Sequence, residues 1–271
     1  MEVLPRSIYV DGFFFISFER GDKVKKSNPK FFEMKLSENK KVGEVFIYGE
    51  ITKYAWEEYG EKSAKIFQQE LEELGDVETI NLYVNSPGGS VFEGIAIHNM
   101  LKRHKARVIA YVDALAASIA SVIIMAADEI RMPSNSMLMI HNPWTIAIGN
   151  AAELRKEADD LDRIGESAII SYLEKAGEKL EEEKLREMLD AETWLTADEA
   201  YEYGLCDVVE AANDMAASIN EKHLQHFRNV PKQLLQQEKQ TISAQEMAER
   251  QKIAEQAKAN LSYYNTILGG M

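Results

Sequence analysis

Ser118 stands among small residues in Asp113-Ala114-Leu115-Ala116-Ala117-Ser118-Ile119-Ala120-Ser121, directly after the apolar run Val108 to Val112. Alanines on both sides let the backbone and a substrate come close to the hydroxyl. A serine hydroxyl is a poor nucleophile until a base takes its proton and hydrogen-bond donors receive the oxyanion. The base is nominated by His141, which ends the apolar run Met137 to Ile140 and precedes Asn142-Pro143. That pair stops regular structure and can hold an imidazole, whose pKa lies near neutrality, at the edge of a cleft. A third element, Gly88-Gly89, follows the alternating run Thr79 to Val84. It lacks the further glycines of a phosphate loop, so a tight turn beside a reacting group is the better reading than nucleotide binding. Singly, each feature is commonplace; together they point to acyl transfer by an activated serine.

The elements that must position these residues alternate. Val45 to Tyr48 reads as a strand ending at Gly49, and Tyr54 to Leu74 as a helix stopped by Gly75. After strand Thr79 to Val84, Ser90 and Glu93 have capping-box spacing for a helix from Val91 to about His104. Strand Arg107 to Val112, helix Ala116 to Ala127, strand Glu129 to Met132 and strand Met137 to Ile140 follow. Ser118 is therefore expected just inside a strand-to-helix turn. Such alternation predicts an α/β fold with a mostly parallel sheet and right-handed crossovers. Sites in these folds lie beyond the carboxyl ends of the strands, where Gly88-Gly89, Ser118 and His141 all fall. A long helix is expected from Ala151 to about Lys175, another from Glu181 to Leu189, then a helix opened by a Thr196/Glu199 capping box and a last strand Leu205 to Val209.

The chain has 271 residues, 45% of them hydrophobic, enough for a full core plus an appendage. No apolar run approaches the roughly 20 residues of a membrane span, and no signal-peptide pattern opens the chain, so a cytoplasmic protein is expected. One cysteine, Cys206, excludes an internal disulfide framework and reads as a small buried hydrophobe in a strand. The net charge of −14 disfavours nucleic-acid binding. His98, His104, His223 and His226 lack accompanying ligands, so no metal and no cofactor are expected.

Four ordered motifs, spanning roughly Val45 to Val209, resemble the proteolytic subunit of the Clp protease. They are Ser86-Pro87-Gly88-Gly89, Ala116-Ala117-Ser118, Met139-Ile140-His141-Asn142-Pro143, and Thr196-Ala197-Asp198-Glu199-Ala200 with Tyr203-Gly204-Leu205-Cys206-Asp207. Within that family, Asn142-Pro143-Trp144, Gly149-Asn150-Ala151 and Glu192-Thr193-Trp194-Leu195-Thr196 are most similar to phage head maturation proteases. The resemblance implies a ClpP/crotonase-like fold of repeated β-β-α units with a long handle helix. It divides the chain into an N-terminal arm (1–40), a Clp-protease-like catalytic domain (41–210) and a glutamine-rich, helical or disordered C-terminal appendage (211–271).

The same resemblance implies roles. Ser118 matches the nucleophile, His141 the general base, and Gly89 and Ile119 the donors of the oxyanion hole. Relatives carry an aspartate where this chain has Glu192, one methylene longer, with Asp190 two residues away as a competitor. The implied function is a serine endopeptidase that cleaves phage capsid or scaffold proteins in the host cytoplasm and assembles as a heptameric ring or stacked double ring. The alternatives are a Clp-type peptidase working with a separate ATP-driven unfoldase, a catalytically idle ring scaffold and, more weakly, an acyl-CoA hydratase or isomerase of the crotonase fold.

Overall fold

The computed structural model describes residues 31–38, 40–52, 54–56, 61–212 and 227–231. The expectations for residues 1–30, for His223 and His226, and for the appendage apart from 211–212 and 227–231 lie outside the described residues. In chain order the elements are β1 (Phe32–Leu36), β2 (Val42–Tyr48), β3 (Tyr54–Trp56), β4 (Glu61–Lys62), α1 (Ser63–Glu73), β5 (Thr79–Ser86), α2 (Val91–Arg103), β6 (Arg107–Ala117) and α3 (Ile119–Ile124). Next come β7 (Glu129–Pro133), β8 (Met137–Ile140), α4 (Ala151–Ala176), α5 (Glu182–Asp190), β9 (Thr193–Thr196), α6 (Ala197–Glu202) and β10 (Val208–Glu210).

The alternation produces the expected mixed α/β fold with one eight-stranded sheet, in which β2, β5, β6, β7 and β10 are parallel neighbours. β1 closes one edge antiparallel to β2. Burial alternates along these strands: Val45, Ile47, Ile80, Leu82, Val84, Ala110 and Val112 are fully buried on one face, and the residues between them are part-exposed on the other. Among the described residues no helix is long and apolar enough to cross a membrane.

β6 organises the site. Its first half pairs with β7 through Ile109 to Tyr111, and its last residues pair with β8 through Leu115 to Ala117. One edge of one strand thus serves two partners in succession. The helix expected from Ala116 does not begin there, because Leu115, Ala116 and Ala117 spend their backbone groups on β8 and β5. Ladder hydrogen bonds override the helix propensity of alanine, and α3 starts only after Ser118.

Three further expectations are corrected. The first part of the expected helix Tyr54 to Leu74 is the two-stranded piece β3-β4, and α1 begins at Ser63. Its start is set by a carboxylate from elsewhere, since Glu93 Oε2 accepts from Ser63 Oγ and from the Ala64 amide, each at 2.7 Å. Glu93 therefore caps α1 and does not box the start of α2, where Ser90 makes no side-chain cap. Cys206 lies in the loop before β10 and not in a strand; it is buried, with its thiol 3.5 Å from Ile130 O. The Thr196/Glu199 capping box is present at α6, and an Asn150/Glu153 box starts α4. The Tyr203-to-Asp207 motif is a latch. Gly204 at φ 73° packs where a Cβ would lie 2.8 Å from Ala176 O, and Asp207 joins the Ile130 amide to Lys175 at 2.7 and 2.6 Å.

Candidate active site

β6 and β8 end side by side, and the Ser118 amide donates to Met139 O at 2.9 Å. That bond fixes the serine backbone two residues before His141. Across the gap, Ser118 Oγ and His141 Nε2 lie 2.7 Å apart. Ser118 has φ 54° and ψ −130°, a left-handed conformation that costs a non-glycine residue about 1–3 kcal/mol. The surrounding pairing of β6, β8 and α3 over-determines this turn and presents the hydroxyl at the sheet edge.

The diglycine turn closes the opposite side. Gly88 has φ 95°, and a Cβ there would fall 2.6 Å from the Ser118 Cβ. Gly89 makes a parallel bridge with Ile51, in which the Ile51 amide donates to Gly88 O and the Ser90 amide to Ile51 O, both at 2.7 Å. A parallel bridge formed this way turns the Gly89 N–H away from Ile51. Among the described residues, neither the Gly89 nor the Ile119 N–H has a hydrogen-bond partner. The amides beside them are spent, Gly88 on Ser86 Oγ and Ser118 on Met139 O. Two amides without partners, one in the diglycine turn and one directly after Ser118, are donors of the kind that stabilises a tetrahedral oxyanion.

The two candidate acids separate. Glu192, in the turn between α5 and β9 at φ 50°, is 9% exposed. Asp190 is exposed, and its Oδ1 accepts from Asn142 Nδ2 at 2.6 Å. Burial pushes the His141 pKa below its ordinary 6.5; the Glu192 charge opposes that shift and Arg228 adds to it. Glu192 thus acts on the imidazole through charge. Its hydrogen bonds go elsewhere, with Oε1 accepting from the Arg228 and Asn229 amides, both at 2.7 Å.

Arg228 and Asn229 belong to the stretch expected from the sequence to be an appendage outside the catalytic domain. Phe227 packs edge-on to His141, with ring centroids 5.6 Å apart, and to Trp194 at 5.7 Å. A lone aromatic in a polar, glutamine-rich region was the one available signal, and it carries no periodicity. The cleft lined by Pro87, Gly88, Gly89, Ser118, His141 and Phe227 has about 220 Å³ of space. That is below the roughly 300–1,000 Å³ of a site for a drug-sized ligand and suits a single side chain of an extended chain. Among the described residues no group of three or more His, Cys, Asp or Glu side chains gathers as for a metal ion.

An α/β sheet with a strained serine, a paired histidine and free amides at its strand ends defines a serine hydrolase class. A family model described as Clp protease matches residues 37–213. The chain belongs to the Clp protease family, whose members are serine-type peptidases. It is 35% identical over 167 residues to the ATP-dependent Clp protease proteolytic subunit 2 of Treponema denticola, covering 60% of this chain and 78% of the relative. To proteolytic subunit 1 of Prochlorococcus marinus it is 33% identical over 132 residues, 48% of this chain and 66% of the relative. The Chlorella vulgaris proteolytic subunit is 36% identical over 131 residues, 47% of this chain and 64% of the relative.

Proposed function

We propose that this chain is an endopeptidase in which Ser118 is the nucleophile, His141 the general base and Glu192 the acid that stabilises the imidazolium. The observation that carries the reading is the 2.7 Å contact between Ser118 Oγ and His141 Nε2 on a turn held by β6 and β8. Ser118 Oγ attacks a peptide carbonyl as His141 takes its proton, and the Gly89 and Ile119 amides receive the oxyanion. His141 returns the proton to the leaving amine, then activates the water that hydrolyses the acyl-enzyme. Each oxyanion donor is worth about 2.7–4 kcal/mol in such sites. Glu192 is preferred over Asp190 because it is buried and its charge is felt at His141.

For the substrate, we infer capsid or scaffold proteins, cut in a host cytoplasm without a dedicated ATPase, as in phage head maturation proteases. This rests on the segments Asn142 to Trp144, Gly149 to Ala151 and Glu192 to Thr196. A second reading, a proteolytic subunit fed by a separate unfoldase, is favoured by the names of the relatives. A homo-oligomeric ring suits either: Ile146 and Ile148 are 84% and 99% exposed just before α4, an apolar surface that a second copy would cover.

The test is covalent labelling by a fluorophosphonate together with mass spectrometry of unfolded casein and of a phage capsid protein incubated with the chain. Labelling and cleavage that vanish in Ser118→Ala support the enzyme, and cleavage of folded capsid protein without ATP supports the maturation reading. Absence of labelling in the wild type overturns both readings in favour of a scaffold.

A further inference from the structure

The family match ends at residue 213, yet the segment 227–231 lies on the reactive pair. It is seated there by several independent contacts. Phe227 packs on a small cluster of Leu115, Ala117, Met139 and Trp194 directly beneath the Ser118 turn. Asn229 Nδ2 donates to Ala191 O at 2.7 Å, tying the segment to the residue before Glu192. The Arg228 and Asn229 amides both converge on Glu192 Oε1.

A carboxylate this buried needs donors, because a charge left unpaired out of water is costly. Among the described residues those two amides are the hydrogen bonds Glu192 receives, and Oε2 receives none. Glutamate has one more rotatable bond than the aspartate implied by the family pattern, so its carboxylate needs more restraint to hold one orientation. Clamping Oε1 fixes the plane of the group and leaves Oε2 as the oxygen available to an imidazolium. Phe227 meanwhile lines the cleft beside Ser118 and His141.

We infer that residues 227–231 are a working part of the peptidase site: the Arg228 and Asn229 amides position Glu192 toward His141, and Phe227 walls the substrate pocket. This rests on the peptidase reading above. Arg228 and Asn229 are positioning residues acting through Glu192, and Phe227 is a specificity-determining residue.

The experiment uses the full chain. Asn229→Pro removes one of the two amide donors together with the Asn229 Nδ2 bond to Ala191 O, Asn229→Ala removes that side-chain bond alone as the control, and Phe227→Ala opens the pocket wall; folding of each is checked by circular dichroism and thermal melting. Fluorophosphonate labelling and hydrolysis of a fluorogenic peptide amide are followed against pH. Asn229→Pro is expected to slow both by about 10²-fold, the scale of a misplaced catalytic group, and to move the acid limb of the profile to lower pH. Phe227→Ala is expected to raise KM up to about tenfold for a bulky side chain next to the scissile bond, with a smaller change in kcat.

Folded Asn229→Pro and Phe227→Ala variants that keep the wild-type rates and pH limb overturn the inference, and so does any gain in activity, which would make the segment a plug. If Asn229→Pro does not fold, the KM-against-kcat split of Phe227→Ala decides. An inactive wild type is a different failure, that of the peptidase reading itself.

Discussion

Gly88 and Ser118 approach so closely that a single methyl group does not fit between them: a Cβ at Gly88 would stand 2.6 Å from the Ser118 Cβ and 2.8 Å from Ala117 O. The obstructing atoms are backbone and the root of a short side chain, with no flexible end to swing away. Gly88→Ala is therefore expected to displace the Ser118 turn and lower the fluorophosphonate labelling rate by about 10²-fold. A labelling time course against wild type checks it.

Ser118 holds a backbone conformation that glycine adopts freely. Ser118→Gly and Ser118→Ala both remove the hydroxyl and its bond to His141, so they differ mainly in backbone strain. Both are expected to be inactive, with the glycine variant more stable by about 1 kcal/mol in urea unfolding. Equal midpoints would mean that the turn is unstrained.

In the proposed mechanism His141 must be neutral to act as base, so activity is expected to rise with pH through its pKa and then level. Burial holds that pKa below 6.5, and the acid limb is expected below 6.5 accordingly. Glu192→Gln removes the charge that opposes the burial effect, so the limb moves further down while the plateau falls. Folding has its own sign. A histidine whose pKa is lower folded than unfolded binds protons more readily when unfolded, so its contribution is intact above 6.5 and declines as pH falls through 6.5 toward the folded value. Rate profiles and unfolding midpoints measured between neutral and mildly acid pH test both statements.

Burial pushes the Cys206 thiol up to about 11, far from reactive thiolate character. Iodoacetamide at mildly alkaline pH is expected to spare it in the folded protein and to modify it rapidly in denaturant, as read by intact mass.

Glu93 links α1 to α2 through Ser63 and Ala64. Glu93→Ala leaves the Ala64 helix amide without its acceptor, while the Ser63 hydroxyl keeps Thr52 O at 2.6 Å, and is expected to cost about 1–3 kcal/mol of stability in urea unfolding.

The parts of this architecture written in local chemistry were legible in the sequence. The alternation of apolar runs with capped helices gave the α/β sheet, and its strand ends marked where Ser118, His141 and Gly89 fall. What escaped was decided by tertiary partners. Alanines 116 and 117 look helical until β8 is beside them, Glu93 looks like a local cap until Ser63 is seen, and Tyr54–Trp56 pair with Glu61–Lys62. The Arg228 and Asn229 amides lie 36 and 37 residues along the chain from the Glu192 they contact, and neither end carries a pattern.

Because the Ser118 amide is bonded to Met139, the proposed nucleophile and base ride on one stiff tongue made from the tips of two paired strands. Motions of the surrounding body carry both together and do not pull them apart. A resting form of this protein that remains folded would have to be made elsewhere, by withdrawing the counter-charge or by swinging the diglycine turn off the hydroxyl.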